Sequence, residues 1–128
     1  MEAVTEPLVV GVDDDVRIRE SIARLAKSAG YAAIMFPSAE AMFASGTLDG
    51  AGCLISDVRM PGMDGLELQR RVKVANPALP VILISGHVDE HVRERALREG
   101  AAAFLFKPFD GEELLRVIQY AVEHGSQT

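Results

Sequence analysis

Residues 8–30 read LVVGVDDDVRIRESIARLAKSAG, and the fold turns on how this stretch divides. Five apolar, β-prone residues, Leu8–Val12, stop abruptly at three aspartates, as a short buried strand does when it leaves a core. Beyond the acids, Ile18, Ile22, Leu25, Ala26 and Ala29 recur at the spacing that lines one face of a helix. Gly30 then supplies the stop. The stretch is therefore a strand, a polar loop and a helix.

Working outward, the same unit recurs. Apolar runs at Tyr31–Phe36, Gly52–Ser56, Val81–Ser85 and Ala103–Phe106 read as four more strands. Ser38 is placed to cap a short helix through Ala44. Gly65 opens a third helix in which Leu68, Val72 and Ala75 share a face, and Asn76-Pro77 ends it. Over Asp89–Glu99, Val92, Ala96 and Leu97 fall on one side before Gly100. Asp110 with Glu113 has the pattern of a capping box ahead of Leu114, Val117, Ile118 and Ala121. Five strands alternating with five helices imply a parallel sheet covered on both faces, because parallel neighbours need right-handed crossovers. The expected fold class is α/β: a flavodoxin-like (βα)5 three-layer sandwich with a five-stranded parallel sheet of order 2-1-3-4-5.

The chain has 128 residues, 48% hydrophobic and 25% charged, which suits one soluble globular domain over residues 1–128. The tail Gly125–Thr128 has the look of a frayed end or a cut linker, so a piece of a longer protein fits equally well. Thirteen Lys and Arg against nineteen Asp and Glu leave a net charge of −6, which argues against direct nucleic-acid binding. One cysteine, Cys53 in an apolar run, cannot form an internal disulfide and suits a reducing cytoplasm. Residues 1–7 carry no apolar segment of the leader type, and no stretch is long enough to span a bilayer. A cytoplasmic, membrane-free protein is expected.

In an open parallel sheet ligands bind beyond the carboxyl ends of the strands, where strand order reverses. Strand one runs into Asp13-Asp14-Asp15, strand three into Asp57, strand four ends at Ser85, and strand five delivers Lys107-Pro108. Order 2-1-3-4-5 brings Asp13 and Asp14 beside Asp57. Two like charges about 5 Å apart at an effective dielectric of about 20 repel by roughly 3 kcal/mol, which invites a cation. An oxygen-only ligand set with no Cys/His cluster favours Mg²⁺ over Zn²⁺. A carboxylate so placed can attack phosphorus, with Mg²⁺ and Lys107 compensating charge and Ser85 donating a hydrogen bond.

The strings VDDD at 12–15, SDVRMPGMDG at 56–65, ISG at 84–86 and FLFKP at 104–108, taken in that order, resemble the receiver domains of bacterial two-component response regulators. The resemblance spans essentially the whole chain. It implies a phosphoacceptor signalling domain rather than an enzyme, one that assists its own phosphorylation and dephosphorylation. It makes Asp57 the phosphoacceptor. Asp14 and Asp57 would bind Mg²⁺ directly, Asp13 mainly through water, and the backbone carbonyl of Arg59 would complete the set. Ser85 and the strand-five aromatic, Phe104, would form the switch, and Lys107 would contact the phosphoryl group. Many relatives carry Thr and Tyr where this chain has Ser85 and Phe104. The implied partners are a sensor histidine kinase or phosphotransfer protein, and a second copy through the face of helix four, strand five and helix five.

Blander roles account for the remaining candidates. Asp15 is assigned to capping the first helix. His87 and His91 lack a third ligand and are read as surface residues. Phe36, Phe43 and Phe106 read as packing residues, and the methionines have no motif. The alternative function is a small Mg²⁺-dependent phosphatase with an aspartyl nucleophile, because Asp13 and Asp15 give the DxD spacing such enzymes place after strand one. That reading leaves Asp57 without a task.

Overall fold

The computed structural model describes residues 6–125, so the tail beyond Gly125 and the first five residues lie outside the described residues. Five strands form one sheet in the order β2-β1-β3-β4-β5: β1 Leu8–Val12, β2 Ala32–Phe36, β3 Ala51–Asp57, β4 Val81–Ser85 and β5 Ala103–Phe106. All four strand pairings are parallel. The helices are α1 Val16–Ser28, α2 Ala39–Ser45, α3 Gly65–Ala75, α4 Glu90–Arg98 and α5 Gly111–His124. A single 3-10 turn, Thr47–Gly50, links α2 to β3; its residues carry no apolar period, and the sequence reading had no element there.

The strands' alternation sorts the core into two layers. Val10, Val12, Leu54, Val81 and Leu83 face α2, α3 and α4 through Met42, Leu68, Val72 and Ala96. Val9, Cys53, Ile55, Ile82 and Ile84 face α1 and α5 through Ile22, Ala26, Leu114, Ile118 and Ala121. Burial on both faces explains the near-continuous apolar strands. Two residues of these helix faces are exposed at helix rims. Ala75 is exposed at the last turn of α3, and Leu97 is 37% exposed on α4.

The helix starts follow the acids and hydroxyls in the sequence. Asp15, Ser38, Asp64, Asp89 and Asp110 all cap helices with their side chains, satisfying N–H groups that the first turn leaves without partners. Asp110 bonds the amide of Glu112 at 2.8 Å instead of the third-position amide a capping box requires. Gly30 and Gly100, both at positive φ, end their helices as expected.

Candidate functional site

The polar residues converge at the carboxyl end of the sheet because β1, β3, β4 and β5 all stop there. In-register pairing sets Val12 beside Ser56, Asp57 beside Ile84, and Ser85 beside Phe106. Asp57 and Ser85, the last residues of β3 and β4, and Asp13 and Lys107, the first beyond β1 and β5, therefore lie at one end of the sheet. Carboxylate oxygens of Asp13, Asp14 and Asp57 lie within 4.8 Å of one another. Asp13 is 1% and Asp57 6% exposed, whereas Asp14 faces solvent.

Lys107 reaches this cluster from the end of β5. Its ammonium donates to Asp13 Oδ2 at 3.0 Å and lies 3.4 Å from Asp57 Oδ2. Burial pushes the Asp57 pKa up, and the negative charge of Asp13 adds to that, outweighing the opposing pull of Lys107. Burial works to lower the Lys107 pKa, but the hydrogen bond and charge of Asp13, together with Asp57, leave it raised. Lys107 thus pairs with two of the three acids, the two that are desolvated. The cluster is able to hold a metal ion, and its all-oxygen donor set suits a hard divalent cation.

The Asp13 carboxylate is fixed from a second side by the amide of Asp15 at 2.9 Å, while Asp15's own carboxylate caps Arg17 at 2.8 Å. Asp15 therefore turns away from the cluster into α1, as expected, and the DxD geometry of the phosphatase reading does not form. Ser85 is buried, and its hydroxyl donates to the His87 carbonyl and accepts from the His87 amide, both at 3.1 Å. Phe104 sits beside Leu83 on β5, two residues before Ser85's direct neighbour Phe106. The two rings meet edge to face, with centroids 5.4 Å apart at 70°. Arg59 opens the loop after β3 with its side chain exposed. His87 and His91 are exposed and join no metal-binding group among the described residues.

Several contributors escaped the sequence reading. Arg19 on α1 donates from its guanidinium to the Asp13 carbonyl at 2.7 Å, tying the acidic loop to the helix that follows. Ser56, fully buried, donates to the carbonyl of Asp57 at 2.9 Å. Gly65 lets α3 start against the end of β3: a Cβ there would lie 2.3 Å from the Asp57 carbonyl oxygen. The helical period does encode Arg19, which falls on the turn facing back toward Asp13. No local pattern marks the other two contacts.

With this geometry in place, comparison with known proteins is informative. The family model described as the response regulator receiver domain matches residues 9–119. Nodulation protein W of Bradyrhizobium diazoefficiens is 40% identical over 122 residues, covering 95% of this chain and 54% of that protein. The response regulator protein TodT of Pseudomonas putida is 40% identical over 116 residues, covering 91% of this chain and 51% of TodT. A solved response regulator receiver protein from Pseudomonas putida superimposes with a TM-score of 0.84 at 32% identity, covering 92% of this chain and 99% of that one. This chain spans about half the length of the two sequence relatives. Nothing among these matches points to a phosphatase. The chain belongs to the response regulator receiver domain family, the phosphoacceptor signalling domains of two-component systems.

Proposed function

We propose that Asp57 is the phosphoacceptor of this domain and that phosphorylation switches the face formed by α4, β5 and α5. One observation carries the assignment: Asp57 is a nearly buried carboxylate at the end of β3, with Lys107 at 3.4 Å and two further carboxylates converging on it. The expected donor is a phosphohistidine of a sensor kinase or phosphotransfer protein. An Asp57 carboxylate oxygen forms the new bond to phosphorus as the phosphorus–nitrogen bond breaks, and the departing imidazole nitrogen takes up a proton. Lys107 balances charge on the transferred group, and Ser85 offers a hydroxyl to one of its oxygens. In this reading Asp14, Asp57 and the Arg59 carbonyl would hold Mg²⁺, with Asp13 acting through water. Bound there, Mg²⁺ supplies positive charge to the phosphoryl oxygens. In the cell the domain is assigned to the cytoplasm, where the kinase delivers its phosphate; among the described residues no helix is long and apolar enough to cross a membrane.

The proposed output face has the surface such a role needs. A groove of about 630 Å³ runs between α4, β5 and α5, lined by Leu97, Ala101, Ala103, Val117 and Tyr120. Tyr120 is 60% exposed there. It suits an output domain, a partner or a second copy of the chain.

Incubation with acetyl phosphate or phosphoramidate tests the assignment. Mass spectrometry should place one phosphate on Asp57, and excess chelator should abolish labelling. Phosphate on another residue, labelling unchanged in chelator, or many turnovers of a phosphate ester would overturn it. Binding of a beryllofluoride mimic should alter amide exchange within residues 88–123. Changes confined to the loops around Asp57 would remove the output face from the proposal.

A further inference from the structure

The loop that follows Asp57 runs from Arg59 to Asp64, with backbone hydrogen bonds just outside its two ends and Met63 packed against the core. Val58 donates to the Ile84 carbonyl at 2.9 Å, and Gly65 donates to the Val58 carbonyl at 2.8 Å. Between these, Met60 is buried in the core. Among the described residues, the only hydrogen bond made by residues 59–63 runs from the Met63 amide to Glu40 Oε2, at 2.9 Å. Glu40 is an exposed residue in the first turn of α2, 23 positions away in sequence.

A second observation at the same carboxylate is steric. Gly62 adopts a left-handed φ of +76°, and a Cβ built there would stand 2.7 Å from Glu40 Oε2. The carboxylate therefore lies directly over backbone at 62–63, on the side where any other residue would project its side chain. The Met63 amide is the main reason the Glu40 pKa is lowered, in agreement with an ionised acceptor. The loop thus has an external strut from α2, and no feature of the local sequence requires one.

We infer that Glu40 is a positioning residue: by holding Met63 it sets the placement of the Arg59–Asp64 loop, and through it the affinity of the acidic pocket for its divalent cation. The inference rests on the phosphoacceptor reading of Asp57 and on the Arg59 carbonyl as part of the cation site. Glu40 touches neither the phosphoryl group nor the cation.

The test compares the wild type with Glu40→Ala and Glu40→Gln, using Mg²⁺ titration by calorimetry and phosphoramidate labelling rates across Mg²⁺ concentrations. Glu40→Ala should weaken Mg²⁺ binding by about three- to tenfold, the range expected for one lost hydrogen bond. Its labelling should be slow at low Mg²⁺ and recover at saturating Mg²⁺. Glu40→Gln keeps an acceptor oxygen in place and should stay within about twofold of the wild type. Thermal melts in chelator confirm that the variants fold. Unchanged Mg²⁺ affinity in a folded Glu40→Ala overturns the inference. So does a Glu40→Gln as weak as Glu40→Ala, which would make the effect one of long-range charge. A wild type that neither binds Mg²⁺ nor labels at Asp57 refutes the parent reading instead, so the two failures are told apart.

Discussion

Replacing Asp57 with Asn should stabilise the cation-free domain, although it removes an ion pair. At the observed separation of up to 4.8 Å, the ionised Asp57 is repelled by Asp13 with about 3.5 kcal/mol at an effective dielectric of about 20. Lys107 at 3.4 Å attracts it with about 5 kcal/mol on the same basis. Asp14, nearer solvent, adds a screened repulsion. These terms largely offset, so the cost of desolvating a carboxylate that is 6% exposed decides the sign, in agreement with its raised pKa. A carboxyl group whose pKa is higher in the folded than in the unfolded state loses stability as it ionises. The penalty is absent below the unfolded value, grows as the pH rises, and is complete above the folded value. Asn never ionises and escapes it. The expected gain near neutral pH in chelator is on the order of 1–2 kcal/mol, or roughly 3–10 °C in Tm for a domain of this size. Urea unfolding followed by circular dichroism should show this gain at neutral pH and its disappearance below the ordinary carboxylate range. Mg²⁺ should reverse the order, because a ligand at about one hundred times its Kd adds about 2.7 kcal/mol to the wild type, and the variant has lost a ligand atom. An Asn variant no more stable than the wild type in chelator at neutral pH would refute the reasoning.

Lys107→Met should destabilise the cation-free protein by about 3 kcal/mol, because it leaves the buried Asp13 carboxylate without its cation, and Mg²⁺ should restore part of the loss in the same unfolding assay. The folded Lys107 pKa is raised above 10.5, so its contribution is fully present below the ordinary lysine value and is lost as the pH rises through the folded one; the gap between wild type and variant should therefore close in strong alkali. Gly65→Ala should cost on the order of 1–3 kcal/mol, since the new methyl meets backbone at 2.3 Å and 2.9 Å. Gly86→Ala, whose methyl would meet only Lys107 Cδ at 3.9 Å, should stay within about 0.5 kcal/mol, and equal losses in the two glycine variants would contradict the packing argument.

The alternation of strands and helices was legible because every strand carries its own apolar run and every helix its own cap; the order 2-1-3-4-5 was not, and came with the flavodoxin-like fold class. The site was legible for a related reason. Parallel strands all end on one side, so residues that terminate strands in sequence, Asp13, Asp57, Ser85 and Lys107, are neighbours in space. What escaped were contacts whose partners lie far apart along the chain and follow no period. Glu40 reads as an ordinary first-turn acid of α2. Gln69 reads as a polar residue on a helix, yet it is fully buried, and its Nε2 donates to the Ala96 carbonyl of α4 at 3.1 Å. Its Oε1 has no hydrogen-bond partner among the described residues. The period put Ala75 and Leu97 on one face with Val72 and Ala96, but it could not tell that they would be exposed, because burial at a helix rim depends on what the neighbouring element covers.

The resting contacts of Ser85 constrain how a signal leaves the site. For its hydroxyl to reach a phosphoryl oxygen on Asp57, two hydrogen bonds to the backbone of His87 must break. Each neutral bond contributes about 0.5–1.5 kcal/mol net, and one bond to a charged acceptor about 1.5–3. The exchange at Ser85 therefore comes close to breaking even. Moving an equilibrium from about 1:99 to 99:1 requires roughly 5.5 kcal/mol of differential binding, so most of it must come from the added phosphoryl charge acting on Lys107 and the bound cation. What the serine contributes is location. Its release frees the amide and carbonyl of His87, three residues before α4 begins at Glu90. That helix is weakly held, with Ala96 its one buried residue and Gln69 and Arg70 reaching it from α3. On the proposed phosphorylation of Asp57, a nearly neutral exchange at the base of a lightly anchored helix would let the electrostatic change act on α4 while the sheet beneath stays in place.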